Sequence, residues 1–184
     1  MASSLLLALA LIGSGSGAAT VEQLEQTLAG QDSATAALRQ WCAVRRLADE
    51  PQIRAVVISG RSSSPPGDLR RILRLGEDER LGYRHVKLSC GGTVLSEAHN
   101  WYATNRLSPE MNRALDDSDA PFGQVAAPLG FHRERLGGER GAADYCPAGT
   151  ILSHRALLRL PDGRPLAYVV ECYTAANLPA ETPD

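Results

Sequence analysis

Apolar and polar residues alternate along Tyr83-Arg84-His85-Val86-Lys87-Leu88-Ser89-Cys90. A strand places Arg84, Val86, Leu88 and Cys90 on one face and His85, Lys87 and Ser89 on the other. The first set is the core face, so Arg84 enters the core with it. A second segment, Leu166-Ala167-Tyr168-Val169-Val170-Glu171-Cys172-Tyr173, is apolar on both faces except at Glu171. Each strand therefore carries one inward charge, and a buried charge is costly unless it is paired or meets a ligand.

The rest of the pattern predicts helices over Val21–Leu28 and Ala34–Leu47, with Leu38, Trp41, Arg45 and Ala48 at helical spacing. Ile53–Ser59 reads as a strand that the Ser62–Gly67 run breaks, and Asp68 is placed to cap a short helix over Leu69–Leu75. Gly91-Gly92 marks a hairpin from the Tyr83–Cys90 strand into a return strand over Thr93–Tyr102. Ser108-Pro109-Glu110 starts a helix that runs to about Leu115, with Ser108 as its N-cap. Ala120-Pro121-Phe122-Gly123 starts another, which Pro128 ends. Leu136–Ala143 is rich in Gly and charge and reads as a mobile loop. A second hairpin runs from Ser153–Leu160 through Pro161-Asp162-Gly163-Arg164 into Leu166–Tyr173, and the tail from Pro179 is expected to fray. Antiparallel hairpins with helices at the start and in the middle imply an α+β layer.

Composition narrows the classes. The chain has 184 residues, 43% hydrophobic and 22% charged, with a net charge of -2. That is enough for one globular domain and offers no general surface for a polyanion. Arg45-Arg46 and Arg70-Arg71 are short basic clusters with acids nearby and read as solvated helix faces, so no nucleic-acid partner is expected. Leu5–Ile12 is a short apolar run followed by small residues, with Gly17 and Ala19 suited to a signal peptidase. Residues 1–19 are thus expected to be a signal peptide and residues 20–184 the domain, exported to the periplasm or beyond, or cytoplasmic if the leader is not functional. No stable membrane anchor is expected, since the apolar run is too short to span a bilayer. Cys42, Cys90, Cys146 and Cys172 allow three complete pairings. No C-x-x-C spacing occurs and the four histidines are scattered in sequence, which argues against a zinc site.

No Walker loop, dinucleotide fingerprint, nucleophile elbow or H-E-x-x-H motif is present. Arg84 and Glu171 remain as candidate chemistry. They could form a structural ion pair between two strands. They could instead serve a ligand, the guanidinium gripping a carboxylate bidentately and Glu171 meeting a hydroxyl. The free backbone amide of Phe122 would add a second anion contact at the start of its helix.

These residues stand in a collinear series. It runs from Leu38-Arg39-Gln40-Trp41 through Tyr83–Leu88, Gly92, Leu107-Ser108 and Ala120–Gly123 to Asp162–Leu166 and Glu171. In this order the chain resembles the chorismate-pyruvate lyase family over most of its length after the leader. The resemblance implies a single antiparallel sheet with helices covering a buried ligand pocket. It implies elimination of pyruvate from chorismate, or from a similar aromatic-precursor acid, to give 4-hydroxybenzoate, as in ubiquinone biosynthesis. Arg84 and the Phe122 amide would hold the ring carboxylate, and Glu171 would face the ring hydroxyl. No cofactor and no metal would be needed, and the protein would act as a monomer on a small carboxylic acid. The alternative on the same fold is an exported, non-catalytic binder of small aromatic acids. The stretch Glu97–Tyr102 departs from the family's wording.

Overall fold

The computed structural model describes residues 19–59 and 63–180. The expected leader lies almost wholly outside the described residues, as do the last four positions of the tail. One six-stranded sheet organises the chain: β1 (Ile53–Val57), β2 (Leu81–Cys90), β3 (Thr93–Ala103), β4 (His132–Arg140), β5 (Thr150–Arg159) and β6 (Pro165–Thr174). The strand order is β1-β2-β3-β6-β5-β4, with every neighbouring pair antiparallel. The architecture is the α+β single-sheet class that the hairpin pattern predicts. The β3–β6 pairing is the join that local sequence does not announce. It sets Ala98 opposite Glu171 and Asn100 opposite Val169, and so brings the two inward-charged strands into one sheet.

The helices form where their caps and apolar stripes dictate. In α1 (Val21–Ala29) Thr20 and Gln23 make a reciprocal capping box. In α2 (Ala34–Arg45) Ser33 accepts the Ala36 amide, and in α4 (Pro109–Asp117) Ser108 accepts that of Met111. Leu24, Leu28, Leu38 and Trp41 pack with Val86, Leu88, Ala98, Leu152 and Tyr173 on one sheet face. A neighbouring cluster sets Leu115 and Phe122 against Tyr102, Leu158 and Val169. On the opposite face α3 (Leu69–Ile72) and the residues just after it bury Leu69 and Leu73 against Trp101, Tyr168 and Val170. Burial of each such side chain contributes about 1.5–3 kcal/mol. Nine of the ten β6 residues are buried, which explains why its sequence is apolar on both faces.

Two expectations need correcting. Leu136–Ala143 is not a free loop: most of it belongs to β4, an edge strand with a register shift between Arg135 and Gly137. Charge and glycine suit an edge, where one side of the backbone faces water and a bulge relieves the ladder. Asp68 precedes α3 but makes no capping bond; its carboxylate pairs instead with Arg71 at 2.6 Å. Of the three possible cysteine pairings, the structure forms Cys42–Cys90 and Cys146–Cys172. The first ties α2 to the end of β2. The second ties the β4–β5 connection to β6.

Candidate functional site

The sheet face beneath α2 and the one-turn helix α5 (Phe122–Val125) lines a partly open cavity of about 30 Å³. Val86, Leu88, Ala98, Leu158 and Val169 supply its apolar floor, and Asn100 and Glu171 its buried polar groups. The Phe122 ring and residues Ser33–Thr35 close it from above. Ser33, Thr35 and Gly123 also line a surface groove of about 490 Å³, so they stand between the groove and the cavity. Gly123 is required there: a Cβ on it would sit 2.8 Å from the Thr35 hydroxyl and 3.1 Å from Ser33.

Arg84 and Glu171 do not meet. Arg84 donates to the carbonyls of Ala120 at 2.7 Å and Ser118 at 2.9 Å. It thereby fastens the loop that leads into α5, and it is not among the residues lining the cavity. Burial lowers its pKa from the usual value, and its Nε has no partner. Phe122 lies on the cavity side of that loop, with its ring against Tyr102 at 5.1 Å between centroids. A single helical turn has little dipole, so the ring is the larger part of what Phe122 presents.

The partner of Glu171 is Arg133, on β4, at 2.5 Å, with the Tyr173 hydroxyl donating to the same carboxylate oxygen at 2.9 Å. Burial opposes the Arg133 charge, but the Glu171 carboxylate outweighs it and holds the guanidinium's pKa above its usual value. Burial, and then the adjacent carboxylate, push the Tyr173 phenol well above its usual range. His154 lies opposite Glu171 in the β5–β6 register, and its Nδ1 accepts from Arg133 at 3.1 Å. Burial lowers the His154 pKa to about 4, so the ring is neutral at pH 7. Glu171 is thus the end of a buried network with its negative charge already matched. Sequence reading missed Arg133 and His154. The signal for Arg133 was the alternation in His132-Arg133-Glu134-Arg135, which points both arginines the same way.

The scattered histidines are a further correction. The β2–β3 register places His85 directly opposite His99, on the sheet face away from the cavity. No helix among the described residues is long and apolar enough to cross a membrane.

The sequence is 35% identical over 175 residues to the protein y4mC of Sinorhizobium fredii (strain NBRC 101917 / NGR234), covering 85% of this chain and 74% of that one. No known family profile matches. The fold is similar to PhnF from Mycobacterium smegmatis, with a TM-score of 0.58 and 11% identity over 82% of this chain and 67% of that one. It is also similar to the ligand-binding domain of a GntR-family transcriptional regulator from Bordetella bronchiseptica (TM-score 0.50, 15% identity, 72% of this chain and 89% of that one). At such identities the likeness establishes the fold, which regulator effector domains share with the chorismate lyases.

Proposed function

The chain belongs to the family of y4mC, and we propose that it uses the chorismate lyase-like fold to bind a compact organic ligand between the sheet and the α2–α5 cover, without turning it over. The observation that carries this is the state of the two charges around the cavity. Glu171 is matched by Arg133 and Tyr173, and both outer nitrogens of Arg84 are taken by backbone carbonyls. Neither is left free as a proton-moving base or as a carboxylate clamp. The apolar floor with two polar groups is the usual make-up of a small-molecule site. Effector-binding domains of regulators with this fold support the same reading. Two disulfides support an oxidising compartment, in line with the expected leader.

The cavity as it stands has room for about one water. A benzene-sized ring needs about 150 Å³. Binding therefore requires α2 and α5 to part at Gly123, which joins the cavity to the groove outside. Calorimetric titration of the disulfide-intact protein with 4-hydroxybenzoate and its neutral amide tests this. We expect one saturable site for at least one of the two, lost in Val169→Trp, which fills the cavity. Binding that survives in that variant would sink the proposal.

The lyase reading has one observation of its own: Phe122 and Glu171 line the same cavity, and Arg84 fastens the loop beside it. In that reading Arg84 exchanges its carbonyl partners for the substrate carboxylate, and Glu171 orients the ring hydroxyl. Incubation with chorismate decides between the two. Equal release of pyruvate and 4-hydroxybenzoate, lost in Arg84→Ala and in Glu171→Ala, would replace the binding proposal with catalysis.

A further inference from the structure

We propose that His85, Glu97 and His99 form a binding site for one first-row divalent transition cation, zinc. The site lies on the sheet face opposite the cavity, so it stands or falls independently of the ligand-binding proposal. The β2–β3 register creates it. His85 and His99 are directly opposed, and Glu97 is the next residue of β3 on the same face. One donor atom from each residue lies within 4.8 Å of the other two. The His85 Nε2 is 2.7 Å from a Glu97 oxygen, and the two imidazoles stack with centroids 4.0 Å apart.

Two features fit a cation better than a satisfied core cluster. Both rings are buried, at 4% and 3% exposure, yet the His85 Nδ1 has no hydrogen-bond partner. A buried polar atom without a partner is a standing penalty that a packed core avoids. His99 has both nitrogens engaged outside the cluster, Nδ1 at 2.8 Å from the Tyr83 hydroxyl and Nε2 at 3.1 Å from the Tyr145 carbonyl, so it must release one contact to ligate an ion while the other orients the ring. Finally, Glu97 is partly exposed, with 16% of its side chain accessible, which leaves a route in from solvent.

The donor set selects the class of ion. Two imidazoles and one carboxylate suit zinc, copper or nickel and are poor partners for calcium or magnesium, which take oxygen ligands. No thiolate is available, because all four cysteines are in disulfides. Donors about 2.1 Å from a tetrahedral ion lie about 3.4 Å apart. The His85–Glu97 pair, at 2.7 Å, must therefore open, and the stacked rings must fan apart so that their lone pairs converge. His99 gives up one of its two outer contacts in doing so. Because its Nε2 contact fixes Tyr145, loading the site alters the hold on the loop that Cys146–Cys172 fastens to β6.

The test is calorimetric titration of the full, disulfide-bonded, chelator-stripped protein with zinc chloride, beside His132→Ala as a control for an exposed histidine. One zinc per chain is expected, with affinity unchanged in His132→Ala and weakened at least tenfold in Glu97→Gln and in His99→Gln. Because His99→Gln can perturb packing, Glu97→Gln is the deciding variant: it is near-isosteric at the partly exposed position, and its fold is checked by near-ultraviolet circular dichroism. Cobalt loading should give the intense visible absorption of a tetrahedral site, absent in Glu97→Gln. No zinc uptake below millimolar concentration overturns the proposal. So does zinc affinity that is the same in Glu97→Gln as in the parent.

Discussion

Replacing Arg133 with Met should destabilise the protein more than any cavity-lining substitution of similar size. The Arg133 and Glu171 side chains are only 4% and 6% exposed, and their oxygen–nitrogen contact is 2.5 Å. Methionine fills much of the arginine's volume, so the lost packing is small. What is left is a buried carboxylate whose remaining donor is the Tyr173 hydroxyl. Breaking one side of a buried pair costs about 3–5 kcal/mol, because the stranded charge keeps its desolvation penalty. For a domain of this size that is a fall in Tm of roughly 6–20 °C. The same reasoning requires recovery when the stranded charge is removed: Arg133→Met with Glu171→Gln should regain at least half of the loss. Urea unfolding with the disulfides oxidised measures both, provided the m-value is unchanged. A single variant that loses under about 1 kcal/mol would refute the assignment of Arg133 as the carboxylate's counter-ion. A double variant no more stable than the single would do the same.

Acid should weaken the fold through His154. Burial, opposed by Glu171 and Glu25 and aided by Arg133 and Arg135, brings its folded pKa to about 4, with its ring edge-on to that of Tyr173. Above pH 6.5 the ring is neutral in both states and contributes nothing. Between pH 6.5 and about 4 the unfolded chain takes up a proton that the folded one refuses, so stability falls as pH falls, by up to about 3 kcal/mol. His154→Gln should flatten that slope in unfolding curves across pH 7 to 4; an unaltered slope would show that other groups set it. Gly138→Ala should disturb the same corner, since its Cβ would lie 2.6 Å from the His154 ring and 3.0 Å from the Ser153 carbonyl. Unfolding of that variant should show a loss of 1–3 kcal/mol, on the order of other overpacked sites, and a neutral result would mean that β4 yields freely. Replacing Cys146 and Cys172 together with Ser opens a loop with a sequence separation of 26 and should cost about 3.5 kcal/mol. Proteolysis should then cut first in the segment 141–149; cleavage elsewhere would show that the loop is held by other contacts.

Much of this structure is written locally, and what is missing from the sequence is missing for a physical reason. Hairpins announce themselves because Gly91-Gly92 and Pro161-Asp162-Gly163-Arg164 sit between alternating segments. Helix starts do so because Ser33 and Ser108 must satisfy free amides. The inward direction of Arg84 and Glu171 also follows from alternation, and both are buried at 5% exposure. Their partners do not follow. Alternation fixes the face of a side chain but not the register between strands distant in sequence. Arg133 reaches Glu171 across β5, and Arg84 finds two carbonyls in the loop before α5. The β4 strand was illegible because an edge strand is held by its backbone, while its side chains, charged and glycine-rich, resemble those of a loop.

The sheet itself keeps the two candidate sites apart. His99 and Asn100 are consecutive on β3, so the pleat sends one to the histidine cluster and the other to the ligand cavity. Neither cluster shares a side chain with the other. A charge placed on one face reaches the other only through the strand backbone and the low-dielectric interior around it. A cation held by His85, Glu97 and His99 would act first on Tyr145 and its disulfide-fastened loop, whereas a ligand beside Glu171 would act first on Ser33, Thr35 and Gly123. The two occupants should therefore bind additively. A zinc affinity that shifted several-fold on filling the cavity with Val169→Trp would refute additivity and show that the two faces are coupled through β3.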